Sequence, residues 1–215
     1  MNRASIGATL YRKAVWAGRI AAMALALMAS SSCGSMVRQG TGSSYLIIST
    51  LRGASGAKPD DLGNPVFSDV VTVVDDSPTV FNDLGEVGLT LGLKDPGSPT
   101  APTTVSPNQF ITVDRYRVTY QRADGRNVPG VDVPYPFDGG MTVTVSGGEV
   151  TAGFNLVRVQ AKLEAPLRAL RNAGAGIFST IAEVTFFGHD QTGREVSVSG
   201  KLSVEFGDFA DPSGS

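Results

Sequence analysis

Few side chains in this sequence could carry out catalysis, and the scarcity of histidine excludes most catalytic arrangements. The 215-residue chain has one histidine, His189, and one cysteine, Cys33. A Ser-His-Asp or Cys-His arrangement would have to use His189 as its base. The surrounding Gly-His-Asp-Gln-Thr-Gly sequence is typical of a hairpin loop, where a histidine is usually solvated. Because no His-Glu-x-x-His or Gly-x-Ser-x-Gly motif occurs either, we expect no catalytic residues and a protein that is not an enzyme.

The shortage of histidine and cysteine also limits which metals the chain could bind. Transition-metal sites need several His or Cys ligands, and the chain has one of each. Calcium needs only oxygen ligands, which leaves aspartates as candidates: Asp60, Asp61, Asp75, Asp76, Asp208 and Asp211. Aspartate pairs are also common in β-turns, and no Asp-x-Asp-x-Asp-Gly loop is present. We therefore expect no metal site and no cofactor, with calcium binding kept as an alternative.

Aromatic side chains could bind a glycan by stacking. The one tryptophan, Trp16, lies in the N-terminal region, so a platform beyond it would need tyrosines: Tyr45, Tyr116, Tyr120 and Tyr135. Tyr116 and Tyr120 lie on the apolar face of an alternating segment and are expected in the core. Residues 131–139 could expose Tyr135 and Phe137 as an apolar patch. The favoured interpretation of this segment is a proline-stiffened loop packed over an edge of the domain.

The first 32 residues predict an export signal. Their charged residues are all basic: Arg3, Arg12, Lys13 and Arg19. An uncharged apolar run at residues 20–29 and three serines follow, which is the pattern of a secretory signal. An apolar helix of ten residues is about 15 Å long, against a bilayer core of about 30 Å. Cleavage is therefore favoured over a permanent transmembrane anchor.

Cys33 directly follows this signal, in the sequence Ser30-Ser31-Ser32-Cys33. This segment resembles the lipobox of bacterial lipoproteins, although that family usually has an aliphatic residue at the position of Ser30. The resemblance implies removal of the signal, diacylation of Cys33 and attachment to a membrane of the bacterial cell envelope; two acyl chains anchor a protein stably. The alternative is ordinary cleavage near residues 29–32, which would leave Cys33 as a free thiol in a secreted or periplasmic protein.

The rest of the chain is acidic and suits one domain. Four of the 18 basic residues precede Cys33, whereas all 20 acidic residues follow it, which argues against nucleic acid as a partner. A single cysteine excludes an intrachain disulfide, so the fold must depend on its hydrophobic core. We predict a lipidated cysteine and flexible tether at residues 33–44, one domain at 45–211 and a tail at 212–215.

Alternating apolar residues predict strands along the whole domain. The clearest case is residues 195–206, where one face carries Val196, Val198, Leu202, Val204 and Phe206. Further strand-like runs occupy residues 45–51, 67–74, 87–93, 111–122, 141–146, 157–163 and 181–187, the last one apolar on both faces as in a central strand.

Turn signals complete the expected architecture. Asp124-Gly125 predicts a two-residue hairpin, residues 189–193 predict a longer one, and Pro166 begins one expected helical turn with Leu167 and Leu170 on one face. The C-terminal hairpin looks like the closing strands of immunoglobulin-like domains in bacterial exported proteins. We predict an all-β, immunoglobulin-like antiparallel β-sandwich of about eight strands with at most one short helix; a small β-barrel is the alternative.

Architecture alone does not fix a function, because sandwiches support many unrelated roles. We expect a non-enzymatic structural or interaction module, in contact with a membrane through Cys33 and with other envelope proteins. The alternative is a ligand-binding subunit for a glycan, peptide or Ca²⁺, using exposed sandwich-end loops such as residues 94–108, which contain four prolines.

Overall fold

The computed structural model describes residues 42–171 and 176–209. The expected signal, Cys33, nearly all of the tether and the tail at residues 212–215 lie outside these residues. Asp211, one of the calcium candidates, also lies outside them.

Strands dominate the described part of the chain. They are β1 (Ser44–Ala54), β2 (Val66–Asp69), β3 (Thr72–Val74), β4 (Ser77–Thr79), β5 (Asp83–Leu93), β6 (Gly97–Ser98), β7 (Ala101–Pro102), β8 (Ile111–Gln121), β9 (Phe137–Val145), β10 (Val150–Val157), β11 (Phe178–Asp190) and β12 (Glu195–Gly207). One short α-helix, α1 (Val159–Leu163), follows β10, and 3₁₀ turns occupy Pro107–Gln109 and Leu167–Leu170.

Eight of these strands form two sheets that pack face to face. One sheet has the order β1-β5-β10 and the other the order β2-β12-β11-β8-β9, whereas β3–β4 and β6–β7 are separate two-stranded ribbons. All pairs are antiparallel except β2 with β12. The prediction of an all-β sandwich of about eight strands is therefore confirmed, and β11 lies at the centre of its sheet as expected.

The core lies between the inner faces of the two sheets. Most of the predicted inward positions of β8 and β12 are buried, among them Tyr116, Val118 and Val204, and Val198 is half-buried. Phe186 of β11 is fully buried and meets Phe154 of the opposite sheet edge-on, with ring centroids 5.4 Å apart. Such edge contacts stabilise an aromatic pair beyond the area that it buries, so they couple the two sheets.

The outer face of the five-stranded sheet is polar. Arg115 and Arg117 of β8 both bind Asp138 of β9, at 3.2 and 3.1 Å. The Arg115 guanidinium also lies 4.0 Å from the centroid of the Phe187 ring. This cation–π contact accounts for an aromatic residue on a solvent-facing surface.

Three local predictions are wrong. Residues 157–163 are not one strand, because β10 ends at Val157 and the chain turns into α1. The Asp124-Gly125 pair does not close a two-residue hairpin: β8 ends at Gln121 and β9 begins only at Phe137. Asp124 and Gly125 form a turn inside this longer connection, whose prolines lack the N–H that a sheet ladder requires.

The third wrong prediction is one strand at residues 67–74, because β2 ends at Asp69 and β3 begins at Thr72 in a separate ribbon.

The predicted C-terminal hairpin and helical turn agree with the structure. Residues 191–194 connect β11 to β12, and the Asp190 carboxylate accepts the backbone N–H groups of Thr192 and Arg194, at 2.9 and 3.0 Å. Leu167 is buried in its 3₁₀ turn, as expected for the apolar side of a short helical segment.

The first testable consequence concerns the aromatic core. We expect Phe186→Ala to lower the free energy of unfolding by about 3–5 kcal/mol, since it deletes a fully buried ring between the sheets. Ser199→Ala, at an exposed position of the adjacent strand, should change it by about 0.5 kcal/mol or less. Urea unfolding of both variants provides the comparison, and equal midpoints would contradict this account of the core.

Candidate functional site

A buried ion pair lies at one end of the sandwich. Asp83 begins β5 and Lys162 belongs to α1; the Lys162 Nζ lies 2.6 Å from the Asp83 Oδ1, and both side chains are at most 1% exposed. The Lys162 Nζ also donates to the main-chain carbonyl of Asp69, at 2.7 Å. Buried charges are tolerated only when they are paired and hydrogen-bonded, and this pair meets both conditions.

The Asp83 carboxylate joins several chain segments. Its Oδ2 accepts the hydroxyl of Ser68 in β2, at 2.5 Å, and its Oδ1 accepts the backbone N–H of Gly56, at 2.8 Å. Burial raises the pKa of Asp83, while the Lys162 ammonium and the hydrogen bonds from Lys162, Ser68 and Gly56 oppose that rise. One carboxylate therefore connects β5, β2, α1 and the segment that follows β1.

The contacts of this cluster are structural, and we call Asp83, Lys162, Ser68 and the Gly56 N–H together the anchor. The Ser68 hydroxyl and the Lys162 ammonium both donate to Asp83, so the lysine does not serve as a base for the serine. Nearby, burial raises the pKa of Tyr120, whose hydroxyl donates to the Leu156 carbonyl at 2.6 Å. Each of these polar groups is satisfied inside the protein.

A cleft of about 370 Å³ lies beside this anchor. Its apolar wall includes Ala54, Val66, Phe67 and Phe209, and its volume falls within the range of about 300–1,000 Å³ that is usual for ligand sites. Phe67 is 57% exposed and packs against Phe209 in a T-shaped arrangement, with ring centroids 5.9 Å apart.

Asp69 connects the anchor to the cleft. Its carbonyl binds Lys162, and its side chain lines the cleft and accepts the Thr72 hydroxyl at 2.7 Å and the Phe209 N–H at 3.3 Å. The position of the cleft wall thus depends on the ion pair behind it.

The residues predicted from the sequence as possible ligands are not brought together. Asp75 and Asp76 form the tight turn of the β3–β4 ribbon, with φ angles of 48° and 59°. Within residues 42–171 and 176–209, no group of three or more His, Cys, Asp or Glu side chains could hold a metal ion. His189 lies on the exposed sheet face, with its Nδ1 3.2 Å from an Asp114 carboxylate oxygen.

The predicted aromatic positions divide in two. Tyr116 and Tyr120 are buried, as expected, whereas Tyr45 and Tyr135 are exposed. Phe137 is only 6% exposed, so the possible apolar patch of Tyr135 with Phe137 does not form. The exposed loop at residues 94–108 contains the β6–β7 ribbon and a 3₁₀ turn, and it does not line the cleft.

Sequence reasoning missed the residues that make this site. Lys162 occupied the expected polar face of a supposed strand, and only the helical turn of α1 directs it inward. Phe67 stood in a general β-rich run and Phe209 in a short C-terminal segment, with no pattern that joined them. The sign of an irregular edge there was Gly63 followed closely by Pro65.

Comparison with known proteins adds no family. No protein-family model, no curated protein and no solved structure matches this chain. In the part of the chain that the structure describes, no helix is long and apolar enough to cross a membrane.

The anchor makes a testable prediction. Lys162→Met leaves the Asp83 carboxylate buried without its cation, and we expect a loss of about 3–5 kcal/mol in the free energy of unfolding at neutral pH. Lys201→Met, which removes a cation 3.9 Å from Glu183 at the surface, should cost about 1 kcal/mol or less.

The loss of stability caused by Lys162→Met should depend on pH. Without Lys162 the pKa of Asp83 in the folded state rises further, so the stability of the variant should increase as the pH falls through that pKa toward the unfolded value. The difference from wild type should therefore shrink between about pH 7 and pH 4. Adding Asp83→Asn should recover part of the loss at neutral pH, and additive effects of the two substitutions would contradict direct coupling.

Proposed function

We propose that this protein is an exported, membrane-anchored lipoprotein of the bacterial cell envelope, with a β-sandwich that serves as a non-enzymatic interaction module. The observation that carries the proposal is the N-terminal sequence: basic residues, an apolar run and then Ser30-Ser31-Ser32-Cys33. A single cysteine at this position suits a lipid carrier, whereas a lone free thiol is unusual in an exported protein.

An interaction role is supported by what the domain exposes. Large apolar side chains lie at the surface at Phe67, Val131 and Ile177, which are 57%, 67% and 60% exposed. The buried polar groups around Asp83 are engaged in holding segments together rather than in facing a substrate. Partners would be other envelope proteins, reached by a domain that the lipid keeps near a membrane.

Metabolic labelling tests the lipid. Cells given an alkyne-tagged fatty acid should label the wild-type protein, and Cys33→Ala should abolish the label because it removes the thiol that is acylated. The double variant Cys33→Ala with Ser35→Cys is a matched control: it restores a thiol two residues away and should stay unlabelled if position determines modification. An unlabelled wild type, or a labelled Cys33→Ala, would refute lipidation at Cys33.

Ligand binding is the second candidate function, and the cleft beside the anchor is the observation that favours it. Its volume of about 370 Å³ and the exposed Phe67 on its wall suit a bound apolar group. Its lining comes from residues 54–72 and Phe209 rather than from the loop at residues 94–108.

A further inference from the structure

We propose that the cleft binds an extended peptide segment of a partner protein, which pairs with the free edge of β2 and places an apolar side chain against Phe67 and Phe209. This inference rests on the ligand-binding candidate and is independent of lipidation at Cys33. Its basis is the direction of the β2 backbone groups, the apolar wall of the cleft and two charges at its rim.

The backbone direction follows from the pairing of β2 with β12. In a parallel ladder, alternate residues of a strand turn both their N–H and their C=O toward the neighbouring strand. The Val70 N–H donates to the Gly207 carbonyl at 2.9 Å, so Ser68, two residues earlier, also faces β12. The backbone N–H and C=O of Phe67 therefore face the opposite edge of β2.

The contacts of Asp69 support this assignment, because its backbone N–H and C=O should point to the same edge of β2 as those of Phe67. Its N–H lies 3.4 Å from the Ser55 Oγ, and its carbonyl accepts the Lys162 ammonium at 2.7 Å, both away from β12. For the backbone of Phe67, by contrast, no hydrogen-bond partner is seen within residues 42–171 and 176–209. An unpaired donor and acceptor on a sheet edge form a template for one residue of an added strand.

The cleft lies along this edge and supplies the side-chain contacts. Pro65, Val66 and Phe67 of this edge line the cleft together with residues that follow β1, namely Ser55, Ala57, Lys58, Asp61 and Gly63. An apolar side chain of the bound peptide would cover the Phe67 ring, which is 57% exposed, and meet Phe209. Burial of that surface is the source of affinity. The peptide runs antiparallel to β2, so that its central residue exchanges both backbone hydrogen bonds with Phe67.

Charges at the rim can recognise the flanking residues of the peptide. Lys58 and Asp61 both line the cleft, and neither side chain forms an ion pair within the described residues. A cation and an anion near one another favour a segment that carries both signs around its apolar residue. The expected ligand is thus a short extended peptide with an apolar centre and mixed charged flanks.

Hydrogen exchange tests the free edge in the absence of any ligand. In the ¹⁵N-labelled full-length chain in detergent, the Phe67 amide should exchange much faster than the amides of Ser68 and Val70, which donate to β12. Equal protection of Phe67 and Ser68 would show that the edge is already paired, and it would overturn the inference.

A peptide-binding experiment tests whether an extended peptide occupies the cleft. A library of capped pentapeptides with a central Phe and random flanks is passed over the immobilised full-length chain, and retained peptides are identified by mass spectrometry. A retained peptide should slow exchange at the Phe67 amide. Methylation of its central backbone nitrogen should weaken binding about tenfold or more, since the donor to the Phe67 carbonyl is lost.

Two protein variants complete the test. Phe67→Ala keeps the backbone edge and removes the ring, and it should weaken binding about tenfold or more. Tyr135→Ala removes another exposed ring outside the cleft and should leave binding unchanged. Retention of no peptide, or equal binding of the methylated peptide, would overturn strand addition. Hydrogen exchange and peptide binding can both be measured whether or not Cys33 carries a lipid. A failure of the peptide-binding proposal can therefore be distinguished from a failure of lipidation at Cys33.

Discussion

The buried carboxylate of Asp83 is the constraint on which this end of the molecule depends. A charge removed from water is costly unless it is paired and hydrogen-bonded, and Asp83 meets that requirement with groups from three separate segments. Lys162 supplies the cation, Ser68 a hydroxyl and Gly56 an N–H. Because no one segment satisfies the carboxylate alone, satisfying it fixes where all of them lie.

This constraint explains how very short elements stay ordered. A five-residue helix such as α1 is far too short to be stable by itself, and β2 has only four residues. Lys162 fixes α1 against β5 and, through the Asp69 carbonyl, against β2. The cleft lies between β2, Phe209 and the chain that follows β1. Its shape depends on the anchor, because Asp83 binds both β2 and the chain after β1.

The buried faces of the long strands could be predicted from the sequence, whereas the buried ion pair could not. The alternation in β8 and β12 correctly predicted which face of each strand is turned to the core, since period two assigns every residue of a strand to a face. The same rule failed at residues 157–163, where an accidental alternation continued past the end of β10 and placed Lys162 on the solvent side. Its ionic partner, Asp83, is 79 residues away in the chain. Local patterns carry no information on such a pair, nor on the meeting of Phe67 with Phe209.

The most direct test of the anchoring role is amide hydrogen exchange of Lys162→Met at neutral pH, compared residue by residue with wild type. If the ion pair holds this end together, amides in residues 54–72 and 158–171 should lose protection. Central amides of β8 and β11, which belong to the core of the larger sheet, should keep theirs. Unchanged protection at residues 54–72, or an equal loss in every strand, would contradict the account.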